Sequence, residues 1–288
     1  MHTIRELHLY PTVIILLALL TLGTAVPAQA QLGLGMAPMR VEIHMMPGQE
    51  YSGALKLSNQ TNVKTRVRGE LLDFDIDDQS TPQFERDLPR EAAYSCKKWL
   101  SLNPMELELD NGGFVIARYT LRAPSDLAEG SYNCAAGFTT LPAAGQATEG
   151  VGMRMAVRIV AAIYVVVGSP PVRGGLKEFK LEAVPPAKDS NEAGWQAVVV
   201  LENQGQMYFR PTGKLDLVDD KGQVVETEDF TSLPVLRERS QRFVFPLKAH
   251  LNPGHYKLRA RVDIGTAEIQ EGSAEVTVDQ PAPTPVAH

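Results

Sequence analysis

The chain has 288 residues, 44% hydrophobic and 22% charged, with a formal net charge of −6 at pH 7. That balance excludes the basic surface of a nucleic-acid binder, and no dense Lys/Arg run marks a membrane-surface patch. There are only two cysteines, and His44, His250, His255 and His288, the histidines beyond the first thirty residues, show no metal-ligand spacing.

Residues 1–30 read as a secretion signal. Arg5 precedes an apolar core from Val13 to Val26, and Ala28-Gln29-Ala30 has the small-x-small form of a cleavage site before Gln31. The apolar segment falls short of the roughly 20 residues a membrane span needs, so no span is expected in the mature chain. Export places Cys96 and Cys134 where thiols oxidise, and with two cysteines a single bridge is available.

Beyond the signal the chain is a succession of short strand patterns. "MRVEIHMMPG", "GALKLSNQ", "VKTRVRGELLDFDID", "MELELD", "FVIARYTLRAP" and "YNCAAGFTTLP" follow one another with turn residues between them, several alternating apolar with polar side chains. "AVRIVAAIYVVVG" (156–168) is almost continuously apolar, as suits a strand covered on both faces. "GSPPVRGG" (168–175) then breaks the pattern, because proline denies a strand donor and glycine loosens the backbone.

After that break the order starts again. Leu57-Ser58-Asn59-Gln60 returns as Leu201-Glu202-Asn203-Gln204, and Gly130-Ser131-Tyr132 as Gly254-His255-Tyr256. The interval between these landmarks is about 20 residues longer in the first copy, and the polar stretch 77–96 is the place for the excess. The G-x-Y element has the form of a tyrosine corner, in which the ring turns inward and the hydroxyl bonds backbone upstream. The expected fold is therefore all-β: two tandem immunoglobulin-like β-sandwich domains, 32–168 and 172–279, with a Pro-rich tail at 280–288. Cys134 aligns with Leu258, a core-facing site, and burial disfavours a reactive thiol there. A bridge to Cys96 would clamp the inserted segment to the sandwich.

Trp99 and Trp195 lie at strand starts and are expected in the two cores. In "DFDIDD" (73–78), Asp73, Asp75, Asp77 and Asp78 offer hard oxygen ligands, but the stretch lacks the Gly and closing Glu of a calcium loop. Alternation with Leu72, Phe74 and Ile76 reads instead as a half-exposed strand. An enzyme is not expected, since there is no G-x-S-x-G elbow, HExxH or Gly-rich phosphate loop.

The ordered stretches resemble the periplasmic pilus-assembly chaperones, the PapD-like family. "MRVEIHMMPGQEYSGALKLSNQT" is similar to that family's opening, where an Arg-bearing first strand leads to a second strand ending in an Asn turn. "WLSLNPMELELDNGGFVIARYTLRAP" and "RIVAAIYVVV" resemble its central strands and the last strand before the linker. The resemblance implies a periplasmic chaperone-like protein, without cofactor, that caps an exported fimbrial or pilin-type subunit by lending it a strand. Val151, Met153, Met155, Val157 and Ile159 would form the apolar row of that donor strand, and Arg40 would anchor the subunit's terminal carboxylate. The family's partner Lys has no counterpart, because no Lys lies between Val151 and Gly168, and Arg158 is the candidate in its place. The competing expectation is a structural or adhesive module of a cell-surface assembly, in which 151–159 stays in its own sandwich.

Overall fold

A computed structural model describes residues 33–77, 79–89, 93–141, 156–185 and 194–279. The expected signal, the Pro-rich tail, and Val151, Met153 and Met155 lie outside the described residues.

The first half holds β1 (Leu34–Ala37), β2 (Arg40–Met45), β3 (Glu50–Asn59), β4 (Thr65–Ile76) and β5 (Pro82–Glu85). After a 3-10 turn at Lys97–Trp99 come β6 (Leu100–Asn103), β7 (Glu106–Leu109), β8 (Phe114–Arg122), β9 (Gly130–Thr140) and β10 (Arg158–Val167). One sheet has the order β1-β3-β8-β6, and the facing sheet runs β2-β10-β9-β4-β5, with β7 also pairing β4. The opening segment serves both sheets: β1 pairs antiparallel with β3, and beyond Pro38 the chain crosses so that β2 pairs parallel with β10. Alternation decides which side chains enter the core. In β2, Val41, Ile43 and Met45 point in, while Arg40, Glu42 and His44 point out.

The second half repeats the plan with β11 (Gly174–Val184), β12 (Gly194–Asn203), β13 (Thr212–Asp219), β14 (Val224–Asp229), β15 (Ser240–Leu247), β16 (Gly254–Asp263) and β17 (Gln270–Val278). Its sheets are β11-β12-β15 and β14-β13-β16-β17. Each sheet pair encloses its own apolar cluster, around Leu55, Leu121, Phe138 and Ile163 in the first and Leu201, Leu217, Phe243 and Leu258 in the second. Trp99 and Trp195 pack, partly buried, against the first and second clusters respectively.

The repeated motifs are structural. Asn59 and Asn203 are both buried at the ends of equivalent strands. Asn59 Nδ2 donates to the carbonyls of Val63, Leu109 and Asp110 at 2.7, 3.2 and 3.1 Å. Asn203 Nδ2 donates to those of Met207 and Val235 at 2.7 and 3.1 Å. Each Asn oxygen accepts a backbone N–H two residues on, from Thr61 or Gly205. Tyr132 and Tyr256 both close a corner by donating to a carbonyl four residues back, Ala128 at 2.8 Å and Asn252 at 3.0 Å. Cys134 and Leu258 are fully buried two places after these tyrosines.

A third cluster joins the sandwiches. Leu72, Phe74 and Ile76 of β4 and Tyr164 and Val166 of β10 meet Tyr208 and Leu236 of the second half. This corrects the half-exposed reading of 72–77. The apolar residues of that stretch face outward from the first core into the inter-sandwich cluster, while Asp73 and Asp75 are buried on the opposite side. Asp73 accepts from Ser95 Oγ at 2.5 Å, from Lys97 Nζ at 2.7 Å and from the N–H of Leu88 at 3.2 Å. Burial pushes its carboxyl up, but these hydrogen bonds and the Lys97 charge outweigh that and hold it below its ordinary value. No group of His, Cys, Asp and Glu among the described residues is arranged to hold a metal ion.

Candidate functional site

Two features of β10 define the site: an edge with no partner among the described residues, and a charged junction where the strand reaches the second sandwich. The pairing of β10 with β2 begins at Ala162 opposite Arg40, whereas its pairing with β9 already begins at Arg158. Arg158–Ala161 therefore have a strand on one side only among the described residues. Ala162 and Gly168 donate their N–H groups to Met39 and Met45 on the β2 side. By the two-residue period of a strand, the N–H groups of Val160 and Arg158 face that same side, beyond the start of β2.

At the other end of β10, burial and charge converge. Arg210, just after Tyr208 and Phe209, reaches across to the first sandwich. Its guanidinium lies 4.8 Å from the centre of the Tyr164 ring and 5.9 Å from that of Tyr208. Nε donates to Glu42 Oε1 at 3.0 Å, and Nη1 donates to the Ser232 carbonyl at 2.6 Å. Arg40 Nε lies 3.4 Å from the same Glu42 oxygen, so one carboxylate from β2 faces two guanidiniums. The rings continue inward: Tyr164 stands edge-on to Phe74 at 5.4 Å, and Phe74 stacks on Phe84 at 4.9 Å. Burial is the main reason that the Tyr208 phenol is pushed up to about 12 and that the Tyr164 phenol is raised, so both rings stay neutral donors. Chemically, this junction offers an exposed guanidinium on Arg40, set over the buried Tyr164 and Tyr208, and main-chain groups at an edge that no described strand covers. Those features suit a peptide or protein chain bearing an anionic group.

Of the residues expected to act, Arg40 sits on the exposed face of β2. Arg158 lies at the far start of β10 and donates Nη2 to the Phe84 carbonyl at 3.1 Å. Arg40 and Arg158 are not brought together, since Ala162, four residues after Arg158, stands opposite Arg40. Val157 and Ile159 pack, partly buried, against the first core, and Val151, Met153 and Met155 are outside the described residues. Cys96 and Cys134 are joined, with Cα atoms 5.2 Å apart, and both are fully buried. Sequence reasoning missed Glu42 and Arg210. The aromatic pair before Arg210 was the only local signal, and nothing in a strand pattern says that an outward face meets a second sandwich.

No family model and no curated protein matches this sequence. Among solved structures the chain is similar to the class 5 fimbriae chaperone CfaA, at 11% identity and a TM-score of 0.44, over 86% of this chain and 99% of that one. It is similar to the E. coli chaperone DraB at 14% identity and a TM-score of 0.41, over 86% and 96% of the two chains. For the chaperone YadV the values are 10% and 0.46, over 85% and 100%. No helix among the described residues is long and apolar enough to cross a membrane.

Proposed function

We propose that this is a periplasmic, non-enzymatic chaperone for an exported, fimbrial-type subunit, with sandwiches 32–168 and 172–279 as its two domains. In this reading it holds the subunit by β-strand pairing along β10. The observation that carries it is the edge of Arg158–Ala161, which has no partner among the described residues. An incoming strand would continue the sheet ahead of the start of β2, taking main-chain hydrogen bonds from the Val160 side of β10. Arg40 is the cation within reach of a carboxylate on such a partner. The Arg210 guanidinium is largely enclosed by Tyr164, Tyr208 and Glu42, and its part is to hold Glu42 beside Arg40.

The test is capture of a small β-rich subunit from periplasmic extract by the mature chain, compared with Val160→Pro. Proline removes a donor that no described strand uses, and edge strands tolerate proline where the N–H faces outward. Loss of capture with unchanged circular dichroism is expected. Capture by Val160→Pro at the level of the parent chain, or recovery of a polysaccharide instead of a subunit, would sink the reading and favour an adhesive module.

A further inference from the structure

Two sandwiches joined by a short linker reorient freely unless a substantial interface holds them. Beside the apolar cluster, that interface takes contacts from the described residues of the stretch 77–96, which has no counterpart in the second sandwich. At its start, the Asp77 carboxylate closes a turn by accepting the N–H groups of Gln79 and Thr81, each at 2.9 Å. The turn carries Ser80 in the left-handed region, with φ of 63°. Ser80 Oγ donates to the Arg242 carbonyl of the second sandwich and accepts from Gln241 Nε2 at 2.9 Å.

At its other end, the Tyr94 hydroxyl donates to Glu238, and the Arg237 guanidinium lies 4.4 Å from the centre of the Tyr94 ring. Arg237 is nine-tenths buried and also faces Tyr132 at 5.8 Å. It packs so closely on Gly130 that a Cβ there would come within 2.5 Å of Nη1. Tyr94 is itself fixed to β9. Its carbonyl accepts the N–H of Asn133 at 3.0 Å, Cys96 N–H donates to the Asn133 carbonyl at 3.3 Å, and the bridge to Cys134 follows.

We infer that the described parts of this stretch, Asp77 with 79–89 and 93–96, are an internal clamp that fixes the angle between the sandwiches. The junction beside Arg40 is then a preset surface, and it does not form by hinge closure around a partner. The Cys96–Cys134 bridge and the Asp73–Lys97 pair pin the clamp to the first sandwich, and Ser80 and Tyr94 are the points at which it grips the second. Preorganisation of this kind removes the ordering cost that a mobile joint would incur on binding.

The amides of Ser131 and Tyr208 report on the interface, because each is bonded across it: Ser131 N–H to the Gln206 carbonyl at 2.7 Å, and Tyr208 N–H to Ser131 Oγ at 2.9 Å. Hydrogen exchange at these two positions and small-angle scattering are compared for the parent chain, Tyr94→Ala, Arg237→Met and Cys96→Ser/Cys134→Ser. The expected result is exchange roughly tenfold faster at both amides and a larger radius of gyration in every variant, with β16 core amides unchanged. Parent exchange rates and superimposable scattering in Tyr94→Ala and Arg237→Met would overturn the clamp. If core amides also accelerate in the cysteine variant, the two side-chain variants, which keep the bridge, decide the matter. Neither readout uses a partner, so the outcome is independent of the proposed chaperone role.

Discussion

The two sandwiches solve the same corner with different neighbours. Tyr132 and Tyr256 make the same hydrogen bond to the carbonyl four residues back, and Asn59 and Asn203 the same turn. Around the first corner, however, everything extra is gathered. Gly130 has a φ of 153° and receives Arg237, whereas a Cβ on Gly254 would meet nothing closer than 3.9 Å. Cys134 holds a bridge where Leu258 has only apolar contacts. The shared residues are what the fold requires, and the differences between the copies mark where the first sandwich was adapted to hold the second.

The largest way to break this comparison is to make the first corner like the second. Cys96→Ser/Cys134→Ser opens a loop with a sequence separation of 38 residues. The chain-entropy model puts its worth at about 3–4 kcal/mol, so calorimetry should show a lowered transition for the first sandwich and little change in the second. An equal fall in both transitions would mean that the bridge serves the whole molecule rather than one corner.

Next come the turn asparagines. Asn59→Ala removes the amide's bonds to three carbonyls and should cost about 3 kcal/mol, and Asn203→Ala removes those to two and should cost about 2 kcal/mol, both read from denaturant midpoints. Reversal of that order would show that the two turns are not energetically equivalent devices.

Asp73→Asn follows, with an expected loss of about 2 kcal/mol from the weakened tie to Lys97. Its pH signature is directional. The folded-state pKa of Asp73 lies below the ordinary 3.8, so its contribution is present above that value and disappears as pH falls through the folded pKa. Lys97 is raised above 10.5: burial lowers it, and the bonds to Asp73 and Asp87 more than restore it. That half is present below 10.5 and lost only as pH rises through the folded value. The variant should therefore lose acid sensitivity below about pH 4 while gaining none at neutral pH.

How far the sequence reaches can be judged at particular residues. The strand patterns and the two repeated motifs carry the fold, because alternation and corner chemistry are local and are imposed by backbone geometry. Cys134 could be placed in the core by its alignment with Leu258 alone. Asp73 and Asp75 were misread as exposed because a period of two separates faces without saying what covers each one. Glu42 and Arg210 were invisible for a related reason: they lie far apart in the chain and meet only once the sandwiches are packed together. The offset between the starts of β2 and β10 was also hidden, since register across a parallel pair is set by the crossing at Pro38 and not by either strand's own pattern.

The finest test compares the corners directly. Tyr132→Phe and Tyr256→Phe remove one hydroxyl each and leave the ring. Tyr132 is buried against Trp99, with ring centres 4.8 Å apart, and its removal leaves the partly buried Ala128 carbonyl short of a donor. The Asn252 carbonyl sits in an exposed bond that water can replace. A cost of about 1 kcal/mol is expected at Tyr132 and about 0.5 kcal/mol at Tyr256. Because Phe keeps the ring beside Arg237, Tyr132→Phe should leave the exchange rates of Ser131 and Tyr208 at parent values. Faster exchange at those amides would place the Tyr132 hydroxyl within the clamp, and the first corner would then be part of the joint between the sandwiches as well as of its own sheet.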